Sequence, residues 1–302
     1  MTAGTPAGEY GEDPGEELRT AGVNGVTLTY RETGDGDPVV FVHGDLSDLR
    51  TWERQLPAFG HAYRAIAYSR RYARPGADVP PGTLNPMGPH VGDLLALLDR
   101  LGAAPAHLVG NSWGAFIALL AAVRSPGAVR SLVLEEPPVL PLYLSDPPHV
   151  AELRLLARRP AVLRDLLRFQ LGTVLPAGRA FHAGHDERAM RIFLHGVLDR
   201  RAYAALRPER LPQMRENLSA LKAGLFGAGF PAVDPAAVAR LTTPVLLVTG
   251  AHSAPVLHRL SDRLGELLPA AERVRILHAS HLMHEENPSA LNAAALDFIA
   301  RH

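Results

Sequence analysis

Six short apolar runs recur along the chain with amphipathic stretches between several of them, and this alternation constrains the fold more than any other feature. The runs are residues 38–44 (PVVFVHG), 63–69 (YRAIAYS), 106–111 (AHLVGN), 130–136 (RSLVLEE), 243–250 (TPVLLVTG) and 273–278 (RVRILH). They are nearly continuously apolar, as strands covered on both faces must be, and segments such as VGDLLALLDRLG carry the helical period. The fold class expected is therefore α/β, a mostly parallel, doubly wound sheet. Ahead of these runs, LRTAGV and VTLTYRET flank Asn24-Gly25, a pair that tolerates the positive φ values of a tight hairpin turn, so two antiparallel strands lead the sheet.

One gap interrupts the alternation. Between Glu136 and Thr243 about a hundred residues carry amphipathic helical patterns (VAELRLLARR, VLRDLLRFQLG, ERAMRIFLHGVL, MRENLSALKAGL) and no convincing strand. A helical cap inserted after the sixth strand accounts for it, with residues 137–241 as cap and 18–136 plus 242–302 as core. Its arginines are expected to form a solvated face. Residues 1–17 mix Gly, Pro and acids without periodicity and are expected to be a flexible tail.

With 302 residues, 47% of them hydrophobic, the chain can bury one large core. Lysine plus arginine (31) balances aspartate plus glutamate (31), and no long basic run occurs, so nucleic acid and anionic membranes are not expected partners. A small-molecule substrate is. No apolar run approaches a membrane span, and the acidic N-terminus does not resemble a secretion signal; a cytoplasmic location is expected. The absence of cysteine excludes disulfides, thiolate catalysis and Cys-type zinc sites. Nothing in the sequence specifies an oligomeric state.

The chemistry concentrates at HLVGNSWGAFIALLAA, residues 107–122, where a strand stops at Ser112 and a helix begins. A serine on such an abrupt turn has its hydroxyl thrust clear of the backbone, and Gly110 and Gly114 relieve the crowding. The N–H groups and dipole of the following helix favour negative charge near the hydroxyl. The pattern G-x-S-x-G alone is weak, since average Gly and Ser usage produces it in roughly one chain of this length in ten. Two companions strengthen it. FVHGD ends an earlier strand, where backbone N–H of Asp45, with that of Trp113, can stabilise an oxyanion. HASHLMHEENP follows the last strand, and a histidine in that loop can reach back to Ser112 as general base. His281 is the choice; His278 belongs to the strand end, and His284 is expected to support the loop through hydrogen bonds. No thiolate or further ligand joins these histidines, so no metal is expected.

With these features in order, VHGD…GNSWG…SHLMHEENP resembles the α/β-hydrolase superfamily over residues 18–302. The resemblance implies Ser112 as nucleophile, His281 as base, the backbones of Asp45 and Trp113 as oxyanion hole, and no cofactor. It departs from the common pattern at the triad acid: where most relatives have aspartate after the strand that follows the cap, TGAHSAP places Ser253. Some relatives, including a subgroup of haloalkane dehalogenases, carry the acid at the end of the strand preceding the cap, and here LVLEEPP places Glu136 there. Alternation along a strand sends Glu135 and Glu136 opposite ways, so only one of them can orient the imidazole. Tryptophan after the nucleophile resembles the dehalogenases, which require aspartate where this chain has Ser112. GNS resembles the carbon–carbon bond hydrolases of aromatic ring cleavage, whose acid after the later strand is missing.

In YSRRYARPG, Arg70 or Arg71 can grip a substrate carboxylate, with a loop-holding ion pair as the plainer role. Arg71 is carried as a substrate-binding candidate together with His43 and Asp45, whose side chain can bind a substrate hydroxyl. The expected activity is a serine hydrolase acting on an ester, lactone or thioester of a small, partly hydrophobic metabolite. The alternatives are carbon–carbon hydrolysis, acyl transfer or cyclisation on the same fold, or a non-catalytic ligand-binding protein.

Overall fold

A computed structural model describes residues 17–145, 147–198 and 200–302; the expected tail lies almost wholly outside the described residues. Arg19–Val23 (β1) and Val26–Thr33 (β2) form the hairpin, with Asn24 and Gly25 both at positive φ, 45° and 77°. Pro38–Val42 (β3), Arg64–Tyr68 (β4), Ala106–Asn111 (β5), Val129–Glu135 (β6), Val245–Gly250 (β7) and Glu272–Ile276 (β8) complete one sheet. Its order is β1-β2-β4-β3-β5-β6-β7-β8, antiparallel through β2–β4 and parallel from there on. This is the mostly parallel α/β sheet that the apolar runs predict.

Both faces of the sheet are covered. Val40, Val42, Leu108, Leu132 and Leu134 pack against the helices Met87–Arg100, Trp113–Arg124 and Pro255–Leu267. Val39, Phe41, Val109, Val133 and Val248 point the other way, onto Trp52, Phe59 and the helix Pro288–Ile299. Side chains alternate across a pleated strand, so a run apolar at every position is what a two-faced core needs.

Between β6 and β7 the described residues form helices without a strand, from Val150–Ala157 to Pro235–Ala239. This cap has its own core, including Phe181, Met190, Leu194, Met214 and Leu221, into which the sheet-side Leu46 packs. Polar contacts also tie it down: Asn217 donates to Asp48 Oδ2 (2.8 Å), and Arg50 and Arg207 pair with Glu216 and Glu53 across the boundary. Among the described residues no helix is long and apolar enough to cross a membrane.

Backbone strain collects where the parallel strands end. Leu46, Tyr72, Ser112, Glu136 and His278 follow β3, β4, β5, β6 and β8, and each has φ between 46° and 63°. Non-glycine residues adopt this region at a cost, and in open α/β sheets the carboxyl edge is where ligands bind.

Candidate active site

Ser112 caps the Trp113–Arg124 helix with φ 53° and ψ −120°, a conformation that lifts its side chain off the strand–helix turn. The glycines act as spacing predicts. A Cβ on Gly114 would overlap the carbonyl oxygens of Val42 and His43, and one on Gly110 would meet the Ala115 backbone. The elbow therefore presses directly on the neighbouring β3 end.

Glu136 follows β6 with its side chain wholly buried, and its Oε2 lies 2.7 Å from His281 Nδ1. Its Oε1 accepts from the Gly250 N–H at 2.9 Å. The carboxylate thus receives His281 Nδ1–H, which fixes the tautomer and leaves Nε2 with its lone pair. Ser112 and His281 line the same cavity, and among the described residues neither the Ser112 hydroxyl nor His281 Nε2 has a hydrogen-bond partner. Ser253, at the position usual for the acid, is a buried hydroxyl without a hydrogen-bond partner among the described residues.

Glu135 points the other way, as alternation requires, and builds a second pair. Its Oε2 lies 2.9 Å from His284 Nδ1, and His284 Nε2 lies 2.9 Å from Thr51 Oγ1. The single Thr51 hydroxyl proton goes to Glu285 Oε1 at 2.6 Å, so Thr51 accepts from His284, and both His284 nitrogens are donors. Donation from both nitrogens is the hydrogen-bond pattern of an imidazolium. Burial alone would lower its pKa, but the charge and hydrogen bond of Glu135, with Glu285 behind them, hold it above the usual histidine value. Glu285 is also paired with the buried Arg210 of the cap (2.9 Å). Asn111, beside Ser112, connects the two pairs by donating to the His281 carbonyl at 3.0 Å and Glu135 at 3.4 Å.

The loop after β3 is set by hydrogen bonds to one peptide group. Gly44 O accepts from His43 Nδ1 (2.8 Å) and from Arg70 (2.9 Å), while His43 Nε2 accepts the Arg70 N–H (2.9 Å). Burial, with the Arg70 charge, pulls His43 down to about 3, so the ring stays neutral in this tautomer. With the Gly44 carbonyl held from one side, the Asp45 N–H of the same trans peptide is aimed the opposite way. A Cβ on Gly44 would lie 2.7 Å from Asn111 Oδ1 and 3.2 Å from Ser112 Cβ, so only glycine lets this peptide approach the serine so closely. Trp113 begins a helix, and the first helical N–H groups have no acceptor within it.

Two substrate-binding candidates sit elsewhere. His43 is fully buried and consumed by the loop, and Arg71 forms a two-pronged ion pair with Asp93 (2.5 and 2.7 Å); neither lines the cavity. Arg70 likewise holds Gly44 and Asp45 rather than facing the cavity. Asp45 does line it. Arg210 departs from the solvated face expected of cap arginines, being 1% exposed. His278 lies two residues beyond β8, exposed to solvent. Among the described residues no group of three or more His, Asp or Glu is placed to hold a metal.

The cavity, about 230 Å³, lies between the strand ends and the cap. Ser112, His281, Asp45 and Trp113 form its floor, and its walls are mainly cap leucines and phenylalanines such as Leu163, Leu166, Phe169, Phe193 and Leu225. A few polar groups on an apolar shell are what a small-molecule site presents.

Known proteins share this frame. A curated epoxide hydrolase of Caballeronia sordidicola is 40% identical over 111 residues, 36% of this chain, and the match spans only 33% of that relative's length. A haloalkane dehalogenase of Bradyrhizobium diazoefficiens is 26% identical over 297 residues, covering 94% of each chain. The crystal structure of the Bacillus subtilis carboxylesterase CesB superposes with a TM-score of 0.71 at 18% identity, over 95% of this chain and 92% of that one. The family model described as alpha/beta hydrolase fold matches residues 37–288, and the chain belongs to that family.

Proposed function

We propose that the protein is a serine hydrolase that cleaves an ester, lactone or thioester through an acyl-enzyme. The observation that carries this reading is the buried 2.7 Å contact of His281 Nδ1 with Glu136 beside Ser112 on its strained turn. His281 Nε2 takes the Ser112 proton as Oγ bonds to the substrate carbonyl carbon. The carbonyl oxygen becomes an oxyanion that accepts from the Asp45 and Trp113 N–H groups. Collapse breaks the bond to the leaving alcohol or thiol, which takes the proton from His281. Water then gives a proton to His281 as its oxygen attacks the Ser112 ester, and collapse releases the acid while His281 returns that proton to Ser112 Oγ.

The nucleophile favours this chemistry over that of the similar dehalogenase and epoxide hydrolase. A carboxylate displacing at a saturated carbon yields an ester, which water can cleave. Serine displacing there would yield an ether, which it cannot. Ser112 is therefore suited to an acyl carbon. The apolar cap wall favours a substrate with a hydrophobic portion.

The test is intact mass after incubation with a fluorophosphonate, followed by a panel of p-nitrophenyl esters and lactones. Wild type should gain one phosphonyl group and Ser112→Ala none, with turnover of at least one panel member. Absence of labelling in wild type would overturn the reading.

A further inference from the structure

The cavity floor contains polar groups that the proposed steps leave unused. Asp45 lies directly beside the proposed oxyanion donor, and its side chain is 10% exposed. Among the described residues the carboxylate has one partner, Arg70, which bonds Oδ1 at 3.0 Å and is itself 3% exposed. Its second oxygen is uncommitted in a cavity whose walls are mainly apolar. Two residues on, Ser47 lines the same cavity, and its buried Oγ has no hydrogen-bond partner among the described residues. Buried polar groups are normally satisfied, and the orphan Ser47 hydroxyl beside the partly exposed free oxygen of Asp45 marks where a ligand supplies the missing partners.

The charge balance narrows the ligand. Asp45 and Arg70 form a buried neutral pair, and Arg70 also donates to Gly44 O, so the carboxylate cannot swing away without breaking the loop's fixed geometry. A cationic ligand is not required to neutralise the site, and a carboxylate placed against the free oxygen of Asp45 would be repelled. A neutral donor fits. We infer that Asp45 and Ser47 form a specificity subsite that binds a hydroxyl or amide N–H two or three bonds from the scissile carbonyl of the substrate.

This rests on the serine-hydrolase reading, which places the carbonyl over Ser112. The substrate would be a polar-headed acyl compound, its donor on Asp45 and Ser47 and its apolar part against the cap.

The experiment uses two matched pairs of p-nitrophenyl esters: 3-hydroxybutyrate against butyrate, and N-acetylglycinate against levulinate, in which CH₂ replaces N–H. In wild type kcat/KM should favour the donor-bearing member of one pair by about tenfold or more, the scale of a hydrogen bond to a charged group. The pair that responds tells hydroxyl from amide. In Asp45→Asn, Arg70 retains the carbonyl oxygen and the cavity meets an NH₂ donor, so the preference should vanish or invert. In Ser47→Ala it should shrink a few-fold. Ratios taken within each variant cancel any general loss from the altered oxyanion loop.

Equal rates within both wild-type pairs, or a preference that survives Asp45→Asn, would overturn the subsite. If no ester is turned over and the fluorophosphonate leaves wild type unlabelled, the hydrolase reading has failed separately. Calorimetric affinities of the same esters for Ser112→Ala then decide the subsite, with equal affinities within both pairs counting against it.

Discussion

Two glutamate–histidine pairs lie side by side at the carboxyl edge of the sheet, built from adjacent glutamates and from histidines three residues apart, yet their environments suit them to opposite tasks. Glu136–His281 faces the cavity, and His281 Nε2 has no partner among the described residues. Glu135–His284 faces the core, where Thr51, Glu285 and Arg210 extend the network and the Trp52 ring lies 4.6 Å from the imidazole centroid. A base must keep one nitrogen unprotonated and open to the reactant; a structural imidazolium must have both nitrogens donating. The difference arises at the strand end: Glu135 is the last residue of β6, Glu136 follows it at φ 46°, and their side chains leave on opposite sides.

The largest expected effect separates the histidines by kinetics. His281→Ala should lower kcat by about 10⁴-fold or more with little change in thermal midpoint, since the members of such a unit act together. His284→Ala should lower the midpoint clearly, while kcat per folded molecule changes less than about tenfold. Comparable kcat losses in both variants would collapse the distinction. Next in size, Glu136→Gln keeps the shape but removes the charge that stabilises the His281 imidazolium, and kcat should fall by about 10³- to 10⁴-fold. Unchanged kcat would show that His281 is oriented by something else.

Removing the other glutamate should act on stability. Glu135→Gln leaves the His284 charge short of its partner in a buried site, and urea unfolding should show a loss of about 3–5 kcal/mol. Replacing both members, Glu135→Leu with His284→Leu, should recover part of it, because no unpaired charge then remains. If the double variant is less stable than Glu135→Gln by a further similar amount, the pair is not acting as an ion pair.

The two pairs also differ in how far they can be read from the sequence. The G-x-S-x-G turn, the loop after the last strand and the acid at the end of β6 occupy fixed places relative to strand ends, so Ser112, His281 and Glu136 stand out once the strands are counted. The apolar runs locate strands for the same reason, since burial on two faces leaves a continuous signature. His284 was legible only as a loop support. Its partners Glu135 and Thr51 are 149 and 233 residues away, a pairing that no local period encodes. Arg210 was hidden among cap arginines that are mostly solvated, because burial of one charge depends on which carboxylate the cap meets when it closes over the sheet. Composition does not record that meeting.

The smallest expected effect concerns pH and tests the charge on His284 directly. The groups that face this ring are Glu135, Glu285, Arg210 and Thr51, with Trp52 against it. Its folded pKa is raised above 6.5, so the unfolded chain releases this proton first as pH rises. Its contribution is therefore complete below about pH 6.5 and is lost as pH climbs through the folded value, by up to about 1.4 kcal/mol per unit. The stability difference between wild type and His284→Gln, measured by urea unfolding, should be larger at about pH 6 than at about pH 9. His43 works in the opposite sense: its pKa of about 3 makes the fold weaker as pH falls below 6.5, but it is present in both proteins and cancels in the difference. A difference that stays constant with pH would mean that His284 carries no extra proton. Thr51 would then donate to Nε2 instead of Glu285, and the two histidines would share one protonation state.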